Sequence, residues 1–181
     1  MRPSLRLLGP PRAWDGEAWM DVPLRQSLLL GAYLAHRDDW VGRDELLTLF
    51  WPDEAESAAR HNLSQLVYHC RRQPWFDGLE AERTRLRWRV ASDLQLFRAA
   101  IGAGAWHDAL ELYRGALLEG VPTGVAPAFE DWLESERESL QVAWREAVLQ
   151  VAGPLEREGP WAEASAYLAA VLERDPLAED A

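Results

Sequence analysis

Four arginines alternate with other residue types near the middle of the chain, in the run Arg83-Thr84-Arg85-Leu86-Arg87-Trp88-Arg89-Val90. In a β-strand, successive side chains point to opposite faces, and neighbours on one face stand about 6.7 Å apart. The pattern therefore predicts a strand with guanidinium groups on one face and apolar side chains on the other. Such a row suits the phosphates of a nucleic acid, and on an edge strand the same charges would also prevent pairing with another sheet.

A second set of polar side chains follows a helical period just before this strand. The apolar residues Ala59, Leu63, Leu66, Val67 and Cys70 predict the buried stripe of a helix that ends before Pro74. The opposite face carries His61, Gln65, Tyr68 and Arg72, and its flanks carry Arg60, Ser64 and Arg71. Gln65 and Arg72 are of the types that read adenine and guanine by bidentate hydrogen bonds, with Tyr68 and His61 as supporting contacts. The alternative for this face is an ordinary solvated helix surface.

The elements that would position these side chains begin with a short β segment over residues 5–25, in which Asp15-Gly16 predicts a hairpin turn and residues 20–24 a returning strand. Apolar spacing then predicts a helix over residues 24–36, a connection over residues 38–42, and a second helix from Arg43 to Trp51. Asp53 and Glu56, three residues apart, predict a capping box at the start of the third helix.

The second half of the sequence has helical spacing throughout. We expect helices over residues 93–101 and 105–118, a loop over residues 119–127, and a helix over residues 129–157 that is either continuous or broken near Gly153-Pro154. A last helix is expected from Trp161 to Arg174. Residues 104–109 and 159–164 repeat each other, with Trp106 aligned to Trp161, which is typical of irregular tetratricopeptide-like hairpins. The end just after Asp175-Pro176 suggests a fragment or an N-terminal part of a longer protein.

Charge is divided unevenly along the chain. The net charge is −11, yet residues 1–92 contain thirteen arginines and thirteen acidic residues, whereas residues 93–181 contain six and seventeen. Residues 60–89 form a local basic stretch with seven arginines and three acidic residues. Because salt screens charges beyond about 8–10 Å, such a stretch can bind phosphate on an acidic molecule.

Several kinds of chemistry are excluded or disfavoured by composition. All 19 basic residues are arginine, so the chain has no lysine for a Walker A motif or a Schiff base. Its single cysteine excludes an intramolecular disulfide and a cysteine-rich zinc site. Cys70 lies on the apolar stripe of the third helix and is interpreted as a small core residue. His61 and His69 are eight residues apart and no carboxylate stands at ligand spacing from them, so no metal or other cofactor is expected. No catalytic arrangement of residues stands out, and the sequence predicts a protein that is not an enzyme.

The sequence also contains no stretch of the roughly 20 apolar residues that a membrane span requires. The residues after Met1 do not lead into the apolar core of a secretory signal. We therefore expect no membrane association and a cytoplasmic location, on the nucleoid.

Two stretches resemble known domains. Residues 24–51, with Val41-Gly42-Arg43-Asp44-Glu45-Leu46-Leu47 and Phe50-Trp51-Pro52-Asp53, resemble an OmpR-type winged helix. Phe97, the segments 112–115 and 118–120, and Phe129-Glu130-Asp131-Trp132-Leu133-Glu134-Ser135-Glu136-Arg137 resemble the bacterial transcriptional activator domain. The two in this order resemble the Streptomyces antibiotic regulatory protein family of transcription activators.

This resemblance implies a mainly α fold: a winged helix-turn-helix with small β elements over residues 1–92, then an irregular tetratricopeptide-like α-helical domain over residues 93–181. It also implies that this second domain is truncated, because the family's domain usually continues for more helices. The third helix, residues 57–73, would enter the major groove, and residues 79–90 would form the wing. The implied DNA-binding residues are Arg60, His61, Ser64, Gln65, Tyr68, Arg71 and Arg72 on the recognition helix and Arg83, Arg85 and Arg87 on the wing. The implied partners are double-stranded DNA, RNA polymerase and a second copy of the chain on DNA.

One departure from the family supports a different interpretation. The middle of the third helix has no arginine between Arg60 and Arg71, where recognition helices of the family usually carry basic residues. Fewer phosphate contacts would lower the affinity for DNA. The competing hypothesis is a protein-interaction scaffold whose winged helix has lost DNA binding. The acidic residues between Glu130 and Glu138 fit either a solvated face or a docking surface for RNA polymerase.

Overall fold

In the computed structural model of the chain, which describes residues 4–122, 124, 126–158 and 169, the fold begins with a three-stranded antiparallel sheet. Its strands are β1 (Leu5–Arg6), β2 (Arg12–Trp14) and β3 (Trp19–Asp21), paired in chain order. The predicted turn at Asp15-Gly16 is confirmed: the Asp15 carboxylate accepts the amide hydrogens of Glu17 and Ala18, each at 2.8 Å. Gly16 has φ of 110°, which favours glycine.

Three helices and a second sheet follow. The helices are α1 (Gln26–Arg37), α2 (Arg43–Phe50) and α3 (Glu56–Arg71). The sheet contains β4 (Val41–Gly42), β5 (Leu79–Ala81) and β6 (Arg85–Trp88), all antiparallel, with β6 in the middle. Strands β5 and β6 form a hairpin, closed by the amide of Glu82, which donates to the carbonyl of Arg85 at 2.9 Å. We call residues 79–88 the arginine hairpin.

Three local predictions were wrong in this half. Val41–Gly42 is a strand rather than part of a connection, because Val41 pairs with Leu86, which follows α3 in the sequence. The capping box at Asp53 and Glu56 does not form: Ala55 is the N-cap of α3 without a side-chain cap, and the Glu56 carboxylate instead accepts from Arg60. The predicted arginine strand is shorter than residues 83–90, because only residues 85–88 pair.

The described residues of the second half are mainly helical, as predicted. Its helices are α4 (Asp93–Ala103), α5 (Trp106–Leu112) and α6 (Pro127–Glu158). Helix α4 starts with a capping box formed by Ser92 and Gln95 and ends at Gly104, whose φ of 69° reverses the chain into α5. Helix α6 passes through Gly153-Pro154 without a break, so the continuous alternative holds.

Helix α5 ends at Leu112 rather than at the predicted residue 118. The following residues instead run beside the N-terminal segment, where the amide of Gly9 donates to Ala116 at 2.9 Å and that of Leu118 donates to Leu7 at 2.8 Å. Leu117 and Leu118 are buried there. Long-range burial therefore ends this helix. The predicted helix at 161–174, and the repeat partner Trp161, lie outside the described residues, apart from position 169, which is helical.

One hydrophobic cluster joins the two halves of the chain. Phe50 of α2 stacks on Phe129 of α6, with ring centroids 5.3 Å apart. Tyr33 of α1 meets Trp132 of α6 edge to face at 4.9 Å. Buried leucines of the N-terminal segment, including Leu5 and Leu7, belong to the same cluster. The chain is thus mainly helical, with small β elements followed by an α-helical region, around a shared core.

Helix α6 is the longest helix that the structure describes, but it is amphipathic and charged. No helix in the described part of the chain combines the length and apolar character that crossing a membrane requires.

Candidate nucleic-acid interface

The predicted apolar stripe sets the orientation of α3. Ala59, Leu63, Leu66, Val67 and Cys70 are all buried. The Cys70 thiol lies 3.9 Å from the carbonyl oxygen of Ser27 in α1, and burial raises the pKa of Cys70 to about 12. Cys70 is therefore a core residue in its thiol form. Because this stripe faces α1 and α2, the opposite face of α3 is turned to solvent.

All seven side chains that were predicted on this face are exposed: Arg60, His61, Ser64, Gln65, Tyr68, Arg71 and Arg72. Tyr68 is 53% exposed, which is unusual for an aromatic ring of this size. Arg72 donates to the Tyr68 hydroxyl at 2.9 Å, and its guanidinium lies 5.5 Å from the ring centroid. The structure thus brings an aromatic ring and a guanidinium together near the C-terminal end of the helix.

The two ends of α3 differ in charge. At the N-terminal end, Arg60 pairs with Glu56 at 2.7 Å and with Asp44 of α2 at 3.4 Å. At the C-terminal end, neither Arg71 nor Arg72 has a carboxylate within 4 Å among the residues that the structure describes. The N-terminal end is therefore neutralised internally, and the C-terminal end presents uncompensated positive charge.

The arginine hairpin holds the three predicted basic residues of the wing in different environments. Arg83 lies in the exposed turn between the strands. Arg85 forms a bidentate ion pair with Glu82, at 2.7 and 3.3 Å. Arg87 forms another with Glu80, at 2.8 and 3.1 Å, and its side chain is only 16% exposed. The predicted alternation holds for Leu86 and Trp88, which are buried on the opposite face.

Arg43, the first residue of α2, was not among the predicted interface residues. Its Nε donates to the carbonyl oxygen of Glu82 at 3.2 Å, and its amide donates to that of Thr84 at 2.8 Å. Burial and the nearby charge of Arg71 lower the pKa of Arg43. Arg43 therefore lies beside the hairpin turn and close to the basic end of α3. Because Gly42 pairs with Arg85 of β6, the strand register places the next residue, Arg43, beside the hairpin turn.

The motif at residues 129–137 mainly joins elements together. Glu136 is half-buried and pairs with Arg98 of α4, and its carboxylate lies 3.7 Å from Nδ1 of His36 in α1. Burial and the charge of Arg98 lower the pKa of His36, although the charge of Glu136 opposes this shift. Arg137 donates to the carbonyl oxygens of Leu117 and Leu118, at 2.8 and 3.0 Å. The exposed acidic residues between Glu130 and Glu138 are Asp131, Glu134 and Glu138.

No group of three or more His, Cys, Asp or Glu side chains within the described ranges could hold a metal ion.

The exposed face of α3 and the arginine hairpin are suited to binding an anionic chain through guanidinium, amide and aromatic groups.

Comparison with known proteins gives a partial relative and a family. A 3-deoxy-manno-octulosonate cytidylyltransferase of Halorhodospira halophila (strain DSM 244 / SL1) is 31% identical over 132 residues, which is 70% of this chain and 44% of that protein. The chain thus spans less than half the length of this relative. Residues 80–181, more than half of the chain, match the bacterial transcriptional activator domain. The chain therefore belongs to the family of the bacterial transcriptional activator domain.

Proposed function

We propose that this chain binds double-stranded promoter DNA through an OmpR-type winged helix, as in the Streptomyces antibiotic regulatory protein family. The observation that carries the proposal is the exposed face of α3, with Gln65, Tyr68 and Arg72 opposite a fully buried stripe. In a regulator of this family, a face of this kind fits the major groove.

In this mechanism, one set of residues reads the bases and another positions the protein on the DNA backbone. Gln65 and Arg72 reach base edges, supported by His61 and Tyr68, while Ser64, Arg60 and Arg71 line the groove. Arg83, Arg85 and Arg87 contact the sugar-phosphate backbone or the minor groove. Arg43 adds a phosphate contact beside the hairpin turn, where its Nε donates to the carbonyl oxygen of Glu82.

The helical part would serve activation. Asp131, Glu134 and Glu138 are exposed and spaced along one side of α6, as a docking surface for a basic region of RNA polymerase would require. We propose that the division lies near residue 92, that residues 93–181 also support a homodimer on DNA, and that the protein acts in the cytoplasm on the nucleoid. No cofactor or catalytic step belongs to this mechanism.

Fluorescence anisotropy with a labelled random duplex, in titrations at 50 and 200 mM salt, tests DNA binding. The wild-type chain should bind, and its affinity should fall with salt because bound arginines release counterions from DNA. Arg85→Ala with Arg87→Ala should weaken binding further and lower the salt slope by about one to two. Arg12→Ala with Arg25→Ala removes the same charge elsewhere and should change binding less. A single strand of equal length should bind more weakly than the duplex.

A protein-interaction scaffold is the second candidate. It is favoured by the ion pairs at Arg60, Arg85 and Arg87, which leave few unpaired cations, and by the lack of arginine in the middle of α3. If the wild-type chain does not bind duplex DNA at 50 mM salt, the scaffold hypothesis replaces DNA binding.

A further inference from the structure

The arginine hairpin carries its own counter-ions. The strand register places Glu80 directly opposite Arg87, and Glu82 lies across the turn from Arg85. Both carboxylates bind their guanidinium in bidentate geometry, which is also how a guanidinium binds a phosphate. Each glutamate therefore occupies the donor groups that a DNA phosphate would use.

Trp40, in the connection between α1 and β4, holds both arginines on the same outer side of the sheet. The guanidinium carbons of Arg85 and Arg87 lie 4.3 and 4.4 Å from the centroid of its ring. Cation–π contacts of this kind leave the N–H edges of a guanidinium free for hydrogen bonds. Trp40 can therefore keep the arginines in place while their anionic partner changes from carboxylate to phosphate.

The charges favour such an exchange. Hydrogen bonds from Arg87 and Arg85 lower the pKa values of Glu80 and Glu82, so both carboxylates are ionised at neutral pH. Both carboxylates are exposed. In the Arg85–Glu82 pair the arginine is exposed as well, and exposed ion pairs of this kind are weak and reversible in water. Residues 79–88 contain three arginines and two glutamates, so their net charge is only +1.

We propose that Glu80 and Glu82 compete with DNA phosphates for Arg87 and Arg85 and thereby lower the affinity of the arginine hairpin for DNA. The inference rests on the proposed function. It assigns to the two glutamates the role of internal phosphate competitors that set the strength and the salt dependence of binding.

The two ion pairs should differ in how much each lowers the affinity for DNA. The Arg85 side chain is 46% exposed, whereas that of Arg87 is 16% exposed beneath Trp40. A phosphate reaches Arg85 more easily, so Glu82→Gln should strengthen binding more than Glu80→Gln. Glutamine keeps the size of the side chain and its place on the strand, and both positions are exposed, so we expect the fold to tolerate each change.

The test compares wild type, Glu80→Gln, Glu82→Gln and the double variant by anisotropy with a labelled random duplex at 50, 100 and 200 mM salt. Each freed arginine should make the salt slope steeper by about 0.9. The ratio of the variant's affinity to that of wild type should therefore fall about threefold per freed arginine between 50 and 200 mM salt. Asp21→Asn is the matched control, because Asp21 also pairs with an arginine, Arg12 at 3.0 Å, but on the N-terminal sheet. Far-UV circular dichroism and thermal melting confirm that each variant is folded.

The outcomes separate the inference from the proposed function. Tighter binding and a steeper slope in the glutamine variants than in Asp21→Asn support the inference, even where wild type binds only weakly. If wild type binds and the glutamine variants match Asp21→Asn or bind more weakly, the inference is wrong while DNA binding stands. If wild type does not bind the duplex at 50 mM salt, DNA binding itself is wrong, whatever the glutamine variants do.

Discussion

Asp93 is a carboxyl group with no exposed surface, at the start of α4. It accepts the amide hydrogens of Leu7 at 2.7 Å and Leu8 at 3.3 Å, and so ties the N-terminal segment to the helical half. Burial raises the pKa of Asp93 from its usual 3.8 to about 6, although these amides and the charge of Arg114 oppose the rise. The cost of burial therefore outweighs the hydrogen bonds.

This shift predicts a pH dependence of stability. Between about pH 3.8 and 6 the folded protein binds a proton at Asp93 that the unfolded chain has lost. The contribution to the free energy of unfolding is therefore complete below about pH 3.8 and is lost as the pH rises through 6, by roughly 3 kcal/mol at pH 7. Urea unfolding of wild type and Asp93→Asn between pH 4.5 and 7 measures it.

The asparagine variant cannot lose this proton, so its stability relative to wild type should rise as the pH rises. Other groups, including His36, titrate equally in both proteins and cancel in the comparison. A stability difference that stays constant over this range would contradict the prediction.

At the scale of elements, α6 connects the two halves of the chain. Its first turns present Phe129 to Phe50 of α2, and Trp132 to Tyr33 and His36 of α1. Because α2 also packs against α3, the helix that carries the proposed base-reading face is supported indirectly by the helical half. The motif at residues 129–137 is thus largely explained by packing.

Removing one ring of this contact should destabilise the protein strongly. We expect Phe129→Ala to lower the free energy of unfolding by about 3–5 kcal/mol, because the buried ring leaves a cavity. A double-mutant cycle with Phe50→Ala should give a coupling of about 0.5–1.5 kcal/mol, as for other aromatic pairs.

Urea unfolding followed by circular dichroism measures both quantities. Val142→Ala, at a position of α6 that is 65% exposed, is the control and should stay within about 0.5 kcal/mol of wild type. A loss of stability at Val142 as large as that at Phe129 would show that the effect belongs to the helix and not to the contact.

At the scale of the whole molecule, the shared core predicts joint unfolding. The N-terminal segment bonds to Ser92 and Asp93, and α1 and α2 bury their apolar faces partly on α6. Neither half can lose its structure without exposing apolar surface of the other.

We therefore expect tryptophan fluorescence and far-UV circular dichroism to follow one coincident urea transition for the full chain. Two transitions with separate midpoints would show that the halves are independently stable units, which the shared core argues against.

What local pattern determines could be predicted from the sequence. The stripe of α3, its exposed face and the burial of Leu86 and Trp88 follow from periods of 3.6 and 2, which depend only on neighbouring residues. The composition of the basic stretch was equally visible. For these reasons the mainly helical fold and the location of the candidate surface were accessible without coordinates.

Tertiary structure alone decided which charges are compensated. Glu80 meets Arg87 because of the hairpin register, Arg60 meets Asp44 because α2 and α3 cross, and Trp40 lies over Arg85 because β4 pairs with β6. The early end of α5 likewise depends on contacts with Leu7 and Gly9, far away in the chain. Such pairings depend on burial and strand register between residues far apart in the sequence, and local periodicity carries no information about them.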